Sequence, residues 1–438
     1  MAEKELAVLM NGTLLGHVRQ ASNGNLELTY DENYRNDPSA TPLSTAMPLT
    51  GHLYRDRNVR PFLVGLLPDS DDVLARWGET FGVSHRNPFA LLAHVGEDCA
   101  GAAQFVRPER LDKLAEGKID WLTDADVEDR LRAIRLDPSA WLWGNDEQGQ
   151  FSLAGAQSKI ALYRKAHQWG HPGGRIPTSH ILKVASGHFS DQEITEHVTM
   201  RAARLAGLAV AGTEIATFGD ERAIVVERYD RLFVDGELQR VHQEDICQAL
   251  SLPPEKKYQR SGGPGPVDIV KLLRSRMPAS VVANSIERFV EALVFNWLVG
   301  GTDAHAKNYS FLMEGPDIRL APLYDLTTGL PYSKELLGAR DSRIHTDRPL
   351  LRMAMSIGGE SRLSRVRVSN WEAFAKQAGV DAEWIVQQIG DLSEKLPDCV
   401  RTATSELSEL GVSTFLSELV DLVANHVATL NKSINEQS

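Results

Sequence analysis

Apolar positions follow two different patterns along this chain, with a change near residue 243. The first part holds short apolar runs separated by turn residues, and the sequence predicts three strands within 5–31. Asn11-Gly12 separates the first two strands, and this pair favours the type I′ turn of a hairpin. Helical spacing is found near 69–80 and 88–95, so the section up to about residue 110 is expected to be a small α+β unit, and a further helix is predicted at 123–135.

A second β-rich stretch covers residues 151–235. One helix, 196–205, interrupts it, and the preceding Ser190-Asp-Gln-Glu193 has the form of a capping box. The strands that flank this helix are predicted at 159–163, 181–184, 214–218 and 223–227. The expected order is therefore strand, strand, helix, strand, strand.

The C-terminal part is predicted to be helical. Its clearest helix spans 285–298, where apolar side chains recur at helical spacing and form one stripe. This helix ends at Gly300-Gly301, and a short hairpin is expected at 309–313 and 318–321. The whole chain is expected to divide into three parts: an α+β subdomain at 1–110, a β-rich lobe at 111–235 and a mostly helical lobe at 236–438.

Bulk composition narrows the class of protein. Of the 438 residues, 42% are hydrophobic and 24% are charged, as in ordinary soluble globular proteins. The net charge of −12 argues against a surface that tracks nucleic acid by itself, although DNA contact through a partner stays open. Cys99, Cys247 and Cys399 are far apart and predict neither a disulfide framework nor a zinc site, so a reducing cytosol is expected. No signal peptide or membrane span is predicted.

The candidate chemistry centres on Asp303 and Asn308, which lie five positions apart just after the buried helix. Protein kinases space a catalytic Asp and a metal-binding Asn in this way, and a later Asp holds the metal as well. Asp325 in Leu323-Tyr-Asp325 fits that later position. The bare spacing is weak evidence, because turns are rich in Asp and Asn. The residues upstream decide its meaning.

Upstream, Lys183 lies in an otherwise apolar strand, and Glu196 follows thirteen residues later on the predicted helix. Kinases pair a strand Lys with a helix Glu to hold the Lys against phosphates, although a strand Lys can also extend to the surface. Small residues in 152–159 would let backbone N–H groups approach phosphate oxygens, without matching a Walker A or a G-x-G-x-x-G loop. The alternative for this stretch is an ordinary strand-entry turn.

Two further segments complete the pattern. Val226–Asp230 ends the β-rich region, where a two-lobed kinase has its hinge, although an exposed strand end is the simpler interpretation. His305 and Lys307 flank the candidate base and serve either loop hydrogen bonds or the γ-phosphate. One His and two Asp do not make a compelling zinc set. Because all these parts occur in kinase order, a phosphotransferase is the leading hypothesis.

The chain resembles the HipA family of serine/threonine kinase toxins from bacterial HipBA toxin–antitoxin modules, over essentially its whole length. The motifs that carry the resemblance are Ser152-Leu-Ala-Gly-Ala-Gln-Ser-Lys159, His180-Ile-Leu-Lys183, Val226-Glu-Arg-Tyr-Asp230, Ser261-Gly-Gly-Pro-Gly265, Thr302-Asp-Ala-His-Ala-Lys-Asn308 and Leu323-Tyr-Asp325. Leu66-Leu-Pro-Asp69, Asn87–Leu92 and Gly96–Gly101 also look like the family. Ser158 stands where an acid is expected, and Leu153 stands where Val is usual.

The resemblance implies a fold and a site. The fold would be α+β and two-lobed, protein-kinase-like or lipid-kinase-like, with a β-rich lobe, the extra N-terminal subdomain and an all-helical C-terminal lobe. Asp303 would be the catalytic base, Asn308 and Asp325 would bind Mg²⁺, and Ser152 would be the autophosphorylation site that silences the enzyme. The residues implied to bind ATP are Ala154, Gly155, Ala156, Gln157, Ser158, Lys159, Lys183, Glu227, Arg228, Tyr229, His305, Ala306, Lys307, Asn308, Tyr324 and Asp325.

The resemblance also implies partners. The substrate would be an aminoacyl-tRNA synthetase, with glutamyl-tRNA synthetase the first candidate, and its phosphorylation would halt translation. A helix-turn-helix antitoxin dimer would carry most of the contact with operator DNA, and no membrane partner is expected. Two alternatives remain, a small-molecule or lipid kinase and a non-catalytic co-repressor. The absence of a basic amphipathic segment counts against the lipid kinase, and the presence of every catalytic group counts against the co-repressor alone.

Overall fold

The structure is a computed structural model that describes residues 4–114, 116–137, 139–140, 151–155, 157–185, 189–332 and 351–435. Contacts between residues divide the chain into two compact units. Unit 1 comprises Met1–Ser186, Glu214–Glu255 and Ser310–Ala321, and unit 2 comprises Gly187–Thr213, Lys256–Tyr309 and Pro322–Ser438. Each unit is assembled from segments that are far apart in sequence. This division does not test the three consecutive ranges expected from the sequence, which stay a prediction.

The first sheet of unit 1 is antiparallel and has five strands in the order β4-β3-β2-β1-β5. Its strands are β1 (Lys4–Met10), β2 (Thr13–Gln20), β3 (Leu26–Tyr30), β4 (Leu53–Arg55) and β5 (Ala103–Val106). The hairpin predicted at Asn11-Gly12 is confirmed, and both residues have the positive φ that a type I′ turn requires, 49° and 81°. The helices in this stretch are α1 (Glu32–Asn36), α2 (Asp56–Gly65), α3 (Asp71–Phe81), α4 (Pro88–Val95) and α5 (Leu111–Leu114).

The second sheet of unit 1 has six strands in the order β10-β11-β9-β7-β8-β6. Its strands are β6 (Gly117–Leu122), β7 (Lys159–Lys165), β8 (Gln168–Gly174), β9 (His180–Lys183), β10 (Thr213–Phe218) and β11 (Glu221–Glu227), and α6 (Asp124–Leu136) contacts β7 and β11. The four predicted strands are confirmed. The prediction missed β8, whose glycines and proline disfavour a strand, and its pairing with both β6 and β7 overrides that local preference.

Among the described residues of 242–362 lie five strands, so the expectation of an all-helical lobe there was too strong. They are β14 (His242–Asp245), β15 (Ser310–Glu314) and β16 (Asp317–Leu320) in one antiparallel sheet, with β17 (Arg352–Ile357) and β18 (Glu360–Arg362) in another. The expected hairpin at 309–321 is confirmed as β15 and β16. Just before them, β12 (Arg231–Val234) and β13 (Glu237–Arg240) form a separate hairpin, and α8 (Ile246–Ala249) follows β14.

Unit 2 is mainly helical, and the prediction that helices dominate the C-terminal part of the sequence is confirmed. Its helices are α7 (Gln192–Leu205), α9 (Pro266–Arg276), α10 (Ala279–Val299), α11 (Val368–Ala378), α12 (Ala382–Ser405) and α13 (Ser413–Asn435). The stop predicted after α10 is confirmed, since Gly300 takes the left-handed C-cap conformation at φ 76°. The capping box predicted before α7 is wrong. Asp191 is the N-cap instead, at φ 56°, and its side chain makes no capping bond.

Two expectations on environment can be compared with the described residues. Cys99, Cys247 and Cys399 are all free thiols, in agreement with the expected lack of a disulfide framework. Within the part of the chain that the structure describes, no helix is both long enough and apolar enough to cross a membrane.

A buried ion network ties distant parts of unit 1 together. Asp98 Oδ1 lies 3.0 Å from Arg231 and 3.2 Å from Arg240, and Arg228 lies 2.8 Å from Asp230. Burial by itself would raise the pKa of Asp98, but the three guanidinium groups hold that pKa well below its usual range. Asp98 is therefore charged in the folded protein, and the network connects the N-terminal section with the segment after β11.

Asp98→Asn should destabilise the protein, because the carboxylate that Arg231 and Arg240 share would be lost while their charges stay buried. Breaking a buried pair of this kind costs about 3–5 kcal/mol of unfolding free energy, which urea unfolding would measure. Asp398→Asn is the matched control, since Asp398 pairs with Arg401 while its side chain is 77% exposed. Equal shifts of the two urea midpoints would contradict a structural role for the network.

Candidate active site

The loop that follows α10 holds the candidate base in a tightly shaped turn. Gly301 donates its N–H to the Asn296 carbonyl at 2.7 Å, and a Cβ at position 301 would lie 2.4 Å from Asn296 Oδ1. Asp303 follows, exposed to solvent, and its carbonyl accepts from the His305 N–H at 2.8 Å. A buried helix end thus fixes the backbone while leaving the Asp303 carboxylate accessible.

The structure brings together the two residues expected to bind metal. Asn308 Nδ2 donates to the Asp325 carbonyl at 3.4 Å, so the amide oxygen of Asn308 is the atom that remains for a metal. Asp325 has a φ of 57°, an uncommon backbone conformation for a residue other than glycine. Strained conformations of this kind cost free energy and are typical of functional sites. Tyr324 supports the turn by donating its hydroxyl to the Lys307 carbonyl.

An Asn and an Asp are a donor set that suits Mg²⁺. This ion takes one or two protein carboxylates and completes its shell with phosphate oxygens and water. Across the described ranges, no three His, Cys, Asp or Glu side chains converge into a metal cluster of their own. The residues present therefore fit a metal held jointly by protein and nucleotide.

Three predicted nucleotide contacts, His305, Ala306 and Lys307, lie between the base and Asn308, and all three are buried. The Asn308 N–H donates to the His305 carbonyl at 2.9 Å, which closes the 3₁₀ turn at Ala306–Asn308. The His305 ring packs edge-on against Tyr258 with a centroid distance of 4.9 Å. Contact of His305 or Lys307 with a phosphate stays a prediction.

In unit 1, two lysines lie side by side on neighbouring strands of the second sheet. Lys159 of β7 is the direct register partner of Lys183 of β9, so both side chains stand on the same face of the sheet. Both residues are less than 10% exposed. Like charges placed directly opposite destabilise a sheet unless negative charge lies close by. This pairing was not anticipated from the sequence.

The loop before β7 folds back over Lys159. Lys159 Nζ donates to the Ala154 carbonyl at 2.7 Å, and a Cβ at Gly155 would lie 2.6 Å from the same ammonium. Gly155 has a φ of 111°, which side chains rarely allow. Gln157 Nε2 donates to the Val184 carbonyl at 3.0 Å, and Ser158 is buried. Ala156 lies outside the described residues.

Ser152, the expected autophosphorylation site, is fully buried in this structure. Its hydroxyl donates to the Leu66 carbonyl at 2.8 Å, and its N–H donates to the Asp98 carbonyl at 2.9 Å. Farther along the loop, the Asp69 N–H donates to the Gly155 carbonyl at 3.1 Å. The N-terminal section therefore holds the segment 152–155 in place through backbone groups.

The predicted hinge residues differ in their exposure and in their side-chain contacts. Glu227 is exposed, and the Tyr229 hydroxyl donates to the Gln243 side chain. Arg228 is committed to the structure, since its side chain belongs to the ion network and its N–H donates to the Ser179 carbonyl at 3.0 Å. Nucleotide contact at Arg228 stays a prediction, and the structure assigns its guanidinium to Asp230.

Lys183 and Glu196 belong to different compact units, and Glu196 is buried on α7. Their predicted ion pair therefore stays a prediction. Sequence reasoning gave no role to Tyr258 or Asp98, which contact Asp303 and the Ser152 segment respectively. Asp98 lies within the Gly96–Gly101 motif, and Tyr258 lies just before the Ser261–Gly265 motif. Their closeness to these motifs was the feature of the sequence that could have indicated a role.

Comparisons with known proteins identify the family of this chain. A family model for the HipA-like C-terminal domain matches residues 151–400, and one for the HipA N-terminal domain matches residues 6–106. A Sinorhizobium fredii protein named as a kinase, Y4mE, is 34% identical over 99% of this chain and 100% of its own length. The serine/threonine-protein kinase toxin HipA of Shewanella oneidensis is 31% identical over 85% of this chain and 83% of its own.

A solved structure is also similar. It is titled as the Shewanella oneidensis toxin–antitoxin complex of HipA, HipB and operator DNA, and it matches with a TM-score of 0.82 and 26% identity over 98% of both chains. The fold is thus protein-kinase-like, and the enzyme class is serine/threonine protein kinase. The chain belongs to the HipA family. Membership of a kinase family implies a nucleotide substrate and a metal ion.

Gly155→Ala should weaken nucleotide use, because the new methyl group would push the Lys159 ammonium away from the Ala154 carbonyl. We expect the KM for ATP to rise about tenfold, or 1.4 kcal/mol, in steady-state assays. Gly207→Ala is the matched control, since Gly207 has a similar φ of 101° but nothing within 4 Å of its Cβ position. If the KM for ATP changed equally in both variants, backbone strain would explain the effect, and displacement of the Lys159 ammonium would be excluded as its cause.

Proposed function

We propose that this chain is an ATP- and Mg²⁺-dependent serine/threonine protein kinase that acts as the toxin of a toxin–antitoxin module. The observation that supports it best is the loop in which Asp303 is exposed while Asn308 contacts the strained Asp325. Family membership supplies the kinase class, and Asp303 would act as the base with Asn308 and Asp325 as metal ligands, in the order that phosphoryl transfer uses.

In the proposed reaction, the substrate hydroxyl oxygen bonds to the γ-phosphorus while the bond to the bridging oxygen of ADP breaks. Asp303 takes the proton that the hydroxyl loses. Lys159 and Lys183 of unit 1 bind phosphate oxygens and balance their charge. Asn308 and Asp325 would hold Mg²⁺, which neutralises charge on the β- and γ-phosphates when bound. The protein thus contributes mainly positioning and electrostatic stabilisation.

The proposed substrate is an aminoacyl-tRNA synthetase, with glutamyl-tRNA synthetase the first candidate. Family resemblance supports this choice. A toxin acting on a translation enzyme would work in the cytoplasm, which is consistent with three free cysteines.

Ser152 is proposed to be the site at which the kinase silences itself. Its burial supports this regulation, because a phosphate with up to two negative charges cannot occupy the closed site beside Leu66. Modification would require the 152–155 segment to leave its hydrogen bonds to the N-terminal section. Once phosphorylated, the segment could not return, and the loop over Lys159 would be lost.

The proposed partner is a helix-turn-helix antitoxin dimer that carries operator DNA and represses the operon together with this chain. The similar structure contains HipA with HipB and operator DNA, which supports the same assembly for this chain. The net charge of −12 favours a DNA contact made mainly by such a partner.

Asp303→Asn should abolish phosphoryl transfer, because Asn cannot accept the hydroxyl proton. We expect a loss of at least about 100-fold in labelled phosphate incorporation from ATP into protein, with folding unchanged. Mass spectrometry of lysate treated with the wild-type protein should find new phosphoserine or phosphothreonine on an aminoacyl-tRNA synthetase, and phosphate on Ser152 of the kinase itself.

The control in this assay is Asp317→Asn, which changes an exposed Asp of the β15–β16 hairpin and should retain wild-type transfer. Full transfer by the Asp303 variant would remove Asp303 as the base. Transfer to lipid or small molecules without any protein product would favour the alternative kinase class over the proposed one.

A further inference from the structure

Asp303 is an exposed carboxylate, and an exposed Asp ordinarily rotates among several side-chain rotamers. A general base must instead be held within hydrogen-bonding reach of its proton. The Tyr258 hydroxyl donates to Asp303 Oδ1. Tyr258 lies 45 residues upstream, in a segment to which the proposed reaction assigns no role.

The backbone that carries Tyr258 is a closed turn. The Tyr258 carbonyl accepts from the N–H groups of Ser261 at 2.9 Å and Gly263 at 3.0 Å. Gly262 has a φ of 84°, and a Cβ at Gly263 would lie 1.9 Å from the Lys256 carbonyl oxygen. The turn therefore needs glycine at both positions, which accounts physically for part of the Ser261–Gly265 motif.

This turn is fastened on two sides within unit 2. The Ala306 N–H of the catalytic loop donates to the Lys257 carbonyl at 3.2 Å. On the other side, Gln259 Oε1 accepts from the Ser356 N–H of β17 at 2.6 Å. The tyrosine and the base are thus mounted on backbones that are hydrogen-bonded to each other.

The ring of Tyr258 is also held. The imidazole of His305 packs against it edge-on at 4.9 Å, Lys257 Nζ lies 5.5 Å from its centroid, and Arg260 Cζ lies 5.1 Å from it. Cations over an aromatic face are attracted to it. Rotation of the phenol away from Asp303 would disturb these contacts.

We propose that Tyr258 is a positioning residue for the base, whose hydroxyl fixes Oδ1 of Asp303 so that Oδ2 receives the substrate proton. This inference rests on the proposed role of Asp303. A carboxylate has two oxygens, and a donor on one of them restricts rotation while leaving the other free to accept. The phenol keeps its own proton throughout, so the proton of the substrate still ends on Asp303.

Tyr258→Phe tests the proposal, because Phe keeps the ring contacts and removes the donor. The full-length protein is assayed with Mg²⁺-ATP and a protein acceptor, next to wild type and Asp303→Asn. We expect kcat to fall about tenfold while the KM for ATP stays within about twofold of the wild-type value. Installing p-aminophenylalanine at 258 restores a donor at the same place and should return most of kcat.

Tyr54→Phe is the matched control, since Tyr54 of β4 donates its hydroxyl to the Pro48 carbonyl and takes no part in the proposed site. Thermal unfolding of each variant separates loss of folding from loss of rate. The proposal is overturned if Tyr258→Phe keeps wild-type kcat while Asp303→Asn is inactive. It is also overturned if the KM for ATP rises with no change in kcat, or if the p-aminophenylalanine variant stays as slow as Phe. Activity in Asp303→Asn would instead remove the proposed function itself.

Discussion

Asp98 is the residue on which unit 1 depends most. Its side chain binds Arg231 and Arg240, and its backbone carbonyl holds the N–H of Ser152. One residue of the N-terminal section therefore touches both the segment that follows β11 and the loop that covers Lys159. Buried charges are costly unless they are paired, so this network permits few alternative arrangements of the segments it joins. The extra N-terminal subdomain therefore helps to hold the loop at 152–155 in position.

The contacts with the N-terminal section also determine how the loop over Lys159 is held. The loop is held by hydrogen bonds to Leu66, Asp69 and Asp98, and its Phe151 and Leu153 side chains are buried in the hydrophobic core of unit 1. Such a loop can be stable when its partners are satisfied and can leave when one residue becomes too large or too charged. The fully buried Ser152 is that residue in the proposed regulation.

Much of the local structure could be predicted from the sequence, because short-range rules decide it. The Asn11-Gly12 turn, the strands around Lys183 and the end of α10 at Gly300 follow from turn chemistry and periodicity. Strand β8 was missed because its glycines hide it, and only its neighbours hold it in a sheet. The capping box before α7 failed because Asp191 adopts a left-handed conformation instead.

The site was predictable only in part. Spacing and family motifs pointed to Asp303, Asn308 and Asp325. The local sequence does not predict the strained backbone of Asp325 or the pairing of Lys159 with Lys183. Those features arise from strand register and chain closure over long separations.

The proposed kinase site needs Lys183, which lies opposite Lys159, to bind the phosphates of ATP. The most direct measurement is thermal unfolding of the wild-type protein and Lys183→Met with increasing Mg²⁺-ATP. Binding at 100 times Kd would stabilise the wild type by about 2.7 kcal/mol, and the variant should gain little. Lys118→Met, at a lysine whose side chain is 74% exposed, should behave as wild type. Equal stabilisation of Lys183→Met and wild type by Mg²⁺-ATP would contradict the account.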